Sequence, residues 1–197
     1  MLTLLDSACK YGPDDPDESE IPMVWLLFKG KKNGRIIGNI LEEGPLPPWL
    51  KLQVQEAGSY REEDVIDSLR DVLPHAVDSQ QSCIVLLDWF SAHRTPAVID
   101  FIHSRGHVVM YHGGGCTPLT QINDTHLHAL VQRIMVQLEN KVAVAKRRDM
   151  HMNNAAGIPT LKRHEICGIV ATMWRMLDHM RIARTGYRQT GPLLPMR

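Results

Sequence analysis

The chain has 197 residues, 44% of them hydrophobic and 22% charged. That is enough for one domain with its own core, and it excludes a generally disordered polymer. No stretch approaches the ~20 apolar residues that cross a bilayer, and the net charge is zero.

The zero conceals a gradient. Residues 1–80 hold 8 Lys/Arg against 15 Asp/Glu (−7), residues 81–140 hold 3 against 4 (−1), and residues 141–197 hold 11 against 3 (+8). A basic final third suits phosphate, and equally suits a solvated helical face that neutralises the acidic half. The few residues before Asp6 are too short for the apolar core of a secretion signal. Cys9, Cys83, Cys116 and Cys167 lie far apart without a CxxC pair, so reduced thiols of an intracellular chain are expected.

In chain order, MLTLL has strand length, and the Pro- and acid-rich YGPDDPDESE that follows reads as a loop. IPMVWLLFKG reads as a buried strand closed by a GKKNG hairpin turn, with RIIGNIL pairing after it. LKLQVQ alternates as an edge strand does. In SYREEDVIDSLRDVL, Ser59 and Glu62 have capping-box spacing, and Val65, Leu69, Val72 and Leu73 share a helical face. SCIVLLDWF predicts a central strand covered on both faces. TPAVIDFIHSRG predicts a helix with Pro96 in its first turn and Gly106 at its stop. HVVMYH predicts another strand, running into GGGCTP. DTHLHALVQRIMVQLENKVAVAKRR predicts a long helix with Leu127, Leu130, Ile134, Met135 and Leu138 in register. HMNNAAGIPT reads as a linker and RHEICGIVATMWRMLDHMRIAR as a second amphipathic helix. Strands alternating with helices through the middle predict a mixed α/β sheet.

Asp88 ends its hydrophobic strand, at the edge where open α/β sheets build their crevices. Asp124 opens the helix after the next parallel strand, so one crossover brings the two carboxylates to neighbouring elements. Carboxylates gathered in one place favour a cation between them. Mg²⁺ or Mn²⁺, with oxygen ligands and waters kept for a substrate phosphate, suits such a site. The same two residues also fit plainer roles, Asp88 in a capped turn and Asp124 as a helix N-cap.

LLDWFSAH (residues 86–93), TPLTQIND (residues 117–124), IPMVWLLFKGKK and the closing Trp174 with GYRQTG resemble, in this order, the motifs of the DDE superfamily endonuclease domain. That domain occurs in pogo/Tigger-type transposases and in centromere-binding proteins related to them. The resemblance covers roughly residues 1–195. It implies an RNase H-like mixed sheet flanked by helices, with Asp88 and Asp124 as catalytic metal ligands. It also implies a nucleic-acid partner, DNA, and a nuclear location. His93 and Gln121 would stand behind the ligands as supporting groups.

Several positions depart from the family's pattern. Trp89 replaces an Asn, Ile122 replaces a Pro, and HGGGC stands where a Pro-rich loop is usual. The family's first catalytic Asp would fall before Met1, and Asp6 is a weak stand-in for it. The expected organisation is an RNase H-like domain over 1–145 lacking its first strand. A linker over 146–160 and a basic C-terminal helical extension over 161–197 complete it. Metal-dependent cleavage is expected to be impaired, which leaves a DNA-binding relic, or an unrelated α/β protein-interaction domain, as alternatives.

The remaining candidates are weaker. His112, Cys116, His126 and His128 lack zinc-site spacing. HGGG lacks the partner motif of an esterase, and GGG is followed by no Lys-Ser/Thr to hold phosphate. The four tryptophans, Trp25, Trp49, Trp89 and Trp174, do not form a stacking series.

Overall fold

The structure is a computed structural model that describes residues 2–3, 21–112, 123–153 and 156–189. Asp6, Gln121, Cys9, Cys116 and the glycine-rich loop lie outside the described residues.

A six-residue strand, β2 (Val24–Lys29), forms the middle of a three-stranded sheet in the order β1-β2-β3. Its antiparallel neighbour is the short β1 (Leu2–Thr3), and its parallel neighbour is β3 (Leu50–Gln55). The β2–β3 register pairs Val24 with Leu50 and Lys29 with Gln55. Parallel strands need a crossover, and here it contains a helix, α1 (Ile36–Glu42). The expected hairpin and its RIIGNIL strand are therefore corrected. Gly34 N–H donates to Lys31 O at 2.9 Å, and this turn feeds α1 rather than a returning strand. Within RIIGNIL, Ile36 and Ile40 fall four residues apart, a helical spacing that outweighs the β-branched composition.

Next comes α2 (Glu62–Val72), then a single turn, α3 (Ala76–Ser79). The second sheet is a parallel pair, β4 (Ile84–Leu87) with β5 (Val108–Tyr111), joined through α4 (Pro96–Ser104). As expected, Pro96 opens α4 and Gly106 follows its end with φ +81°; the structure adds Thr95 as the N-cap, its side chain accepting the Val98 N–H. The strand SCIVLL, however, is covered on one face only. Val85 and Leu87 point into a core with Val65, Leu69, Ala92, Val98 and Ile102. On the opposite face, Ile84, Val108 and Met110 are exposed, because the C-terminal helices pack elsewhere.

Those helices are α5 (His128–Met152), α6 (Arg163–Arg175) and α7 (His179–Gln189). They close a larger core over the three-stranded sheet, with Val24, Ile40, Leu50, Leu127, Val131, Val170, Met173 and Trp174 buried together. The indole N–H of Trp174 donates to Pro22 O at 2.6 Å, fixing α6 to the start of β2. α5 continues through Lys146–Met152, past the start of the expected 146–160 connection. Lys146 explains the continuation, because it pairs with Glu165 at 2.5 Å and ties the helix to α6.

The start of α2 differs from expectation as well. Its N-cap is Arg61 rather than Ser59, and Asp64, three positions on, accepts the Arg61 backbone N–H at 2.9 Å. The Asp64 side chain is buried, and the Gln55 amide at the end of β3 donates to both of its oxygens, at 2.8 and 2.7 Å.

The architecture is thus a mixed α/β fold with parallel pairing in both sheets.

Candidate functional site

The C-terminal ends of β4 and β5 define the region of interest. Asp88 follows Leu87 directly, and His112 follows Tyr111 directly, so the two emerge side by side from adjacent parallel strands. His112 N–H donates to Leu87 O at 3.0 Å, which extends the ladder to the last position.

Asp88 does two structural jobs at once. Its Oδ1 accepts the Phe90 N–H at 3.1 Å, closing a turn two residues on, which is the plain role open to a strand-terminal Asp. The same oxygen accepts the Nδ1–H of His93, whose ring is buried in the 3₁₀ turn Ser91–His93. Tyr111 completes the clamp, its hydroxyl donating to His93 O at 3.0 Å. Burial pushes the Tyr111 hydroxyl above its ordinary pKa, with the Arg94 charge opposing, so it remains a donor. His93 therefore lies against Asp88, where the sequence suggested a supporting group.

Asp124 lies in a π-helical turn, Asn123–Leu127, that leads into α5. Its partner is a side chain of the following turn: His128 Nδ1–H donates to Asp124 Oδ1 at 2.6 Å, four residues on.

His112 feels the charge of both carboxylates. Burial lowers its pKa from the ordinary value, while Asp88 and Asp124 both act in the opposite direction. One half-buried imidazole is thus within electrostatic reach of both acids, although they belong to elements separated in the chain. Of the other histidines here, His128 is on Asp124, and His126 faces Thr125 and Gln189.

Does this arrangement fit a divalent metal? Mg²⁺ requires near-octahedral oxygen coordination, and two carboxylates that each hold a histidine N–H offer an incomplete and partly occupied set. Among the described residues no group of three or more His, Cys, Asp or Glu side chains could hold a metal ion. The described donors therefore do not fit a two-metal centre.

Next to Asp88 in the chain, a cation and two aromatic rings pack together. Arg94 lies over the half-exposed Trp89 ring, 4.5 Å from its centroid, and Trp89 meets Tyr111 edge-on at 5.8 Å. The other three tryptophans are buried, so Trp89 stands apart from them. The last helix, α7, carries Arg181, Arg184 and Arg188, all exposed, and no acidic residue within the helix. Spacings of three and four put these arginines on one face. Among the described residues none of the three is in an ion pair. The end of α7 is tied to the Asp124 turn, where His126 Nε2–H donates to Gln189 Oε1 at 2.6 Å.

Sequence reasoning found the basic final third but not this stripe. The signal was present in RIARTGYR, as arginines at positions i, i+3 and i+7. The Tyr111 clamp had no local signal, because it depends on the β4–β5 register.

Among the described residues no helix is long and apolar enough to cross a membrane. No protein family, curated protein or solved structure matches this chain.

Proposed function

We propose that the chain is a DNA-binding domain of DDE-endonuclease descent, with an RNase H-like ground plan, that holds a phosphodiester backbone without cutting it. The observation that carries this reading is the arginine face of α7, Arg181, Arg184 and Arg188, tied by Gln189 and His126 to the turn that bears Asp124. Exposed arginines that are in no ion pair among the described residues provide donors for phosphate oxygens, and they neutralise charge as bound counterions are released. Asp88 and Asp124 mark the position of the ancestral Mg²⁺ or Mn²⁺ ligands. Their present hydrogen bonds to His93 and His128 give them structural roles instead. A nuclear location accompanies this reading.

Fluorescence anisotropy of a labelled DNA duplex tests it. Binding should occur at low salt, should weaken as salt rises, and should release no cleaved product with Mg²⁺ or Mn²⁺. Lack of binding at low salt would refute the DNA-holding role, and metal-dependent nicking abolished by Asp88→Asn would refute the inactive one.

A second reading, an α/β domain for protein contact, is favoured by the bare apolar face of β4–β5 at Ile84, Val108 and Met110. It predicts concentration-dependent association in sedimentation, lost in Val108→Lys.

A further inference from the structure

At the opposite, N-terminal end of β4 and β5 a thiol meets an imidazole. Cys83 immediately precedes β4 and is exposed, and His107 immediately precedes β5 and is buried. The Sγ of Cys83 lies 3.4 Å from His107 Nδ1. We propose that Cys83 and His107 form a nucleophilic thiol–imidazole pair that exchanges with small disulfides.

The tautomer follows from the partners. His107 Nε2 lies 2.6 Å from Pro74 O, and a carbonyl only accepts, so Nε2 carries the proton. Nδ1 is then the accepting nitrogen, its lone pair shared between the Cys83 backbone N–H and the thiol. It faces Cys83 twice, accepting the backbone N–H at 3.2 Å and standing beside the thiol. The ring is held from both ends in a buried position, with Nδ1 within reach of the thiol proton. Neighbouring contacts fix the turn that carries it. Ser82 Oγ–H donates to Gly106 O at 2.7 Å, and Ala76 N–H donates to Arg105 O at 2.7 Å.

The exchange balances without another reagent. The Cys83 proton passes to His107 Nδ1, and the sulfur pair forms a new S–S bond with one sulfur of the disulfide. The other sulfur leaves as a thiolate and takes the proton back from Nδ1. A disulfide and a thiol become a mixed disulfide and a new thiol, the usual course of attack by an activated cysteine.

The test uses the full chain with Cys9→Ser and Cys116→Ser, so that Cys83 and Cys167 remain. Dithiodipyridine reaction is followed against pH, and peptide mapping by mass spectrometry assigns the site. In the folded protein near pH 7, Cys83 should react roughly tenfold faster than the same cysteine in denaturant, and His107→Gln should remove that advantage. Cys167, buried with its thiol pushed up to about 11, reports folding by staying unreactive in the variant. The proposal is overturned if folded Cys83 titrates like an ordinary cysteine near ~8.5. Equal rates with and without His107, while Cys167 stays protected, would overturn it too. The unsubstituted His107 profile decides the matter even if His107→Gln fails to fold. Glutathione disulfide then checks the substrate class, with a mixed disulfide on Cys83 expected.

Discussion

Asp64 shows how one residue can join two elements. Its buried carboxylate accepts the Arg61 N–H at the head of α2 and the Gln55 amide from the end of β3. Asp64→Ala removes a helix cap and leaves the buried Gln55 amide without its acceptor. A loss of about 2–4 kcal/mol of unfolding free energy in urea is expected. A loss no larger than that of a surface substitution would show that Gln55 finds another partner at little cost.

His179 makes a second prediction at this scale. It is fully buried against Trp174, ring centroids 4.6 Å apart, with its Nε2–H donating to Trp174 O at 2.8 Å. Burial lowers its pKa to about 4, with the Trp174 carbonyl and Asp178 opposing. The sign follows from linkage: the unfolded state takes up a proton near the ordinary 6.5, while the folded state resists until about 4. Stability is therefore fully present above pH 6.5 and is lost as pH falls through that window, by at most about 3 kcal/mol. Urea midpoints measured from pH 7.5 to 4 (roughly) should fall on this side, and His179→Gln should flatten the curve.

At the scale of elements, α4 and its two boundaries could be read directly from the sequence. Thr95, Pro96 and Gly106 each act locally, through a cap, a fixed φ and a left-handed stop. Gly106 is also sterically required, because a Cβ there would lie 2.8 Å from Ala76 Cβ. Gly106→Ala combines that clash with the positive φ and should cost about 1–3 kcal/mol, read as a lowered thermal midpoint. An unchanged midpoint would mean that α3 shifts freely. By contrast, α1 was misread as a strand. Ile36, Ile37 and Ile40 fit either conformation locally, and only the parallel β2–β3 register requires a crossover. The Ser59 cap failed for a related reason. Two acids, Glu62 and Asp64, were within reach of the helix start, and the tertiary partner Gln55 selected Asp64.

Across the whole molecule, alternation of strands and helices was enough to predict a mixed α/β fold. The division into a three-stranded and a two-stranded sheet, and the bare outer face of β4–β5, depend on where α5–α7 pack. That choice is made by long-range contacts such as Trp174 with Pro22, which no local pattern encodes. The candidate site was legible to a similar degree. Asp88 and His93 stand out in the sequence at a strand end and its following turn, and Asp124 at the head of the later helix. The influence of both acids on His112, and the Tyr111 clamp, required the folded register.

The central claim is that the α7 arginines hold a nucleic-acid backbone. The most direct measurement is the slope of log binding constant against log salt for a DNA duplex, compared between the unmodified protein and Arg181→Ala/Arg184→Ala/Arg188→Ala. Each arginine that neutralises a phosphate contributes about 0.9 to the slope, so the triple variant should bind more weakly and lose about two to three from it. An unchanged affinity and slope in a variant that remains folded would contradict the account.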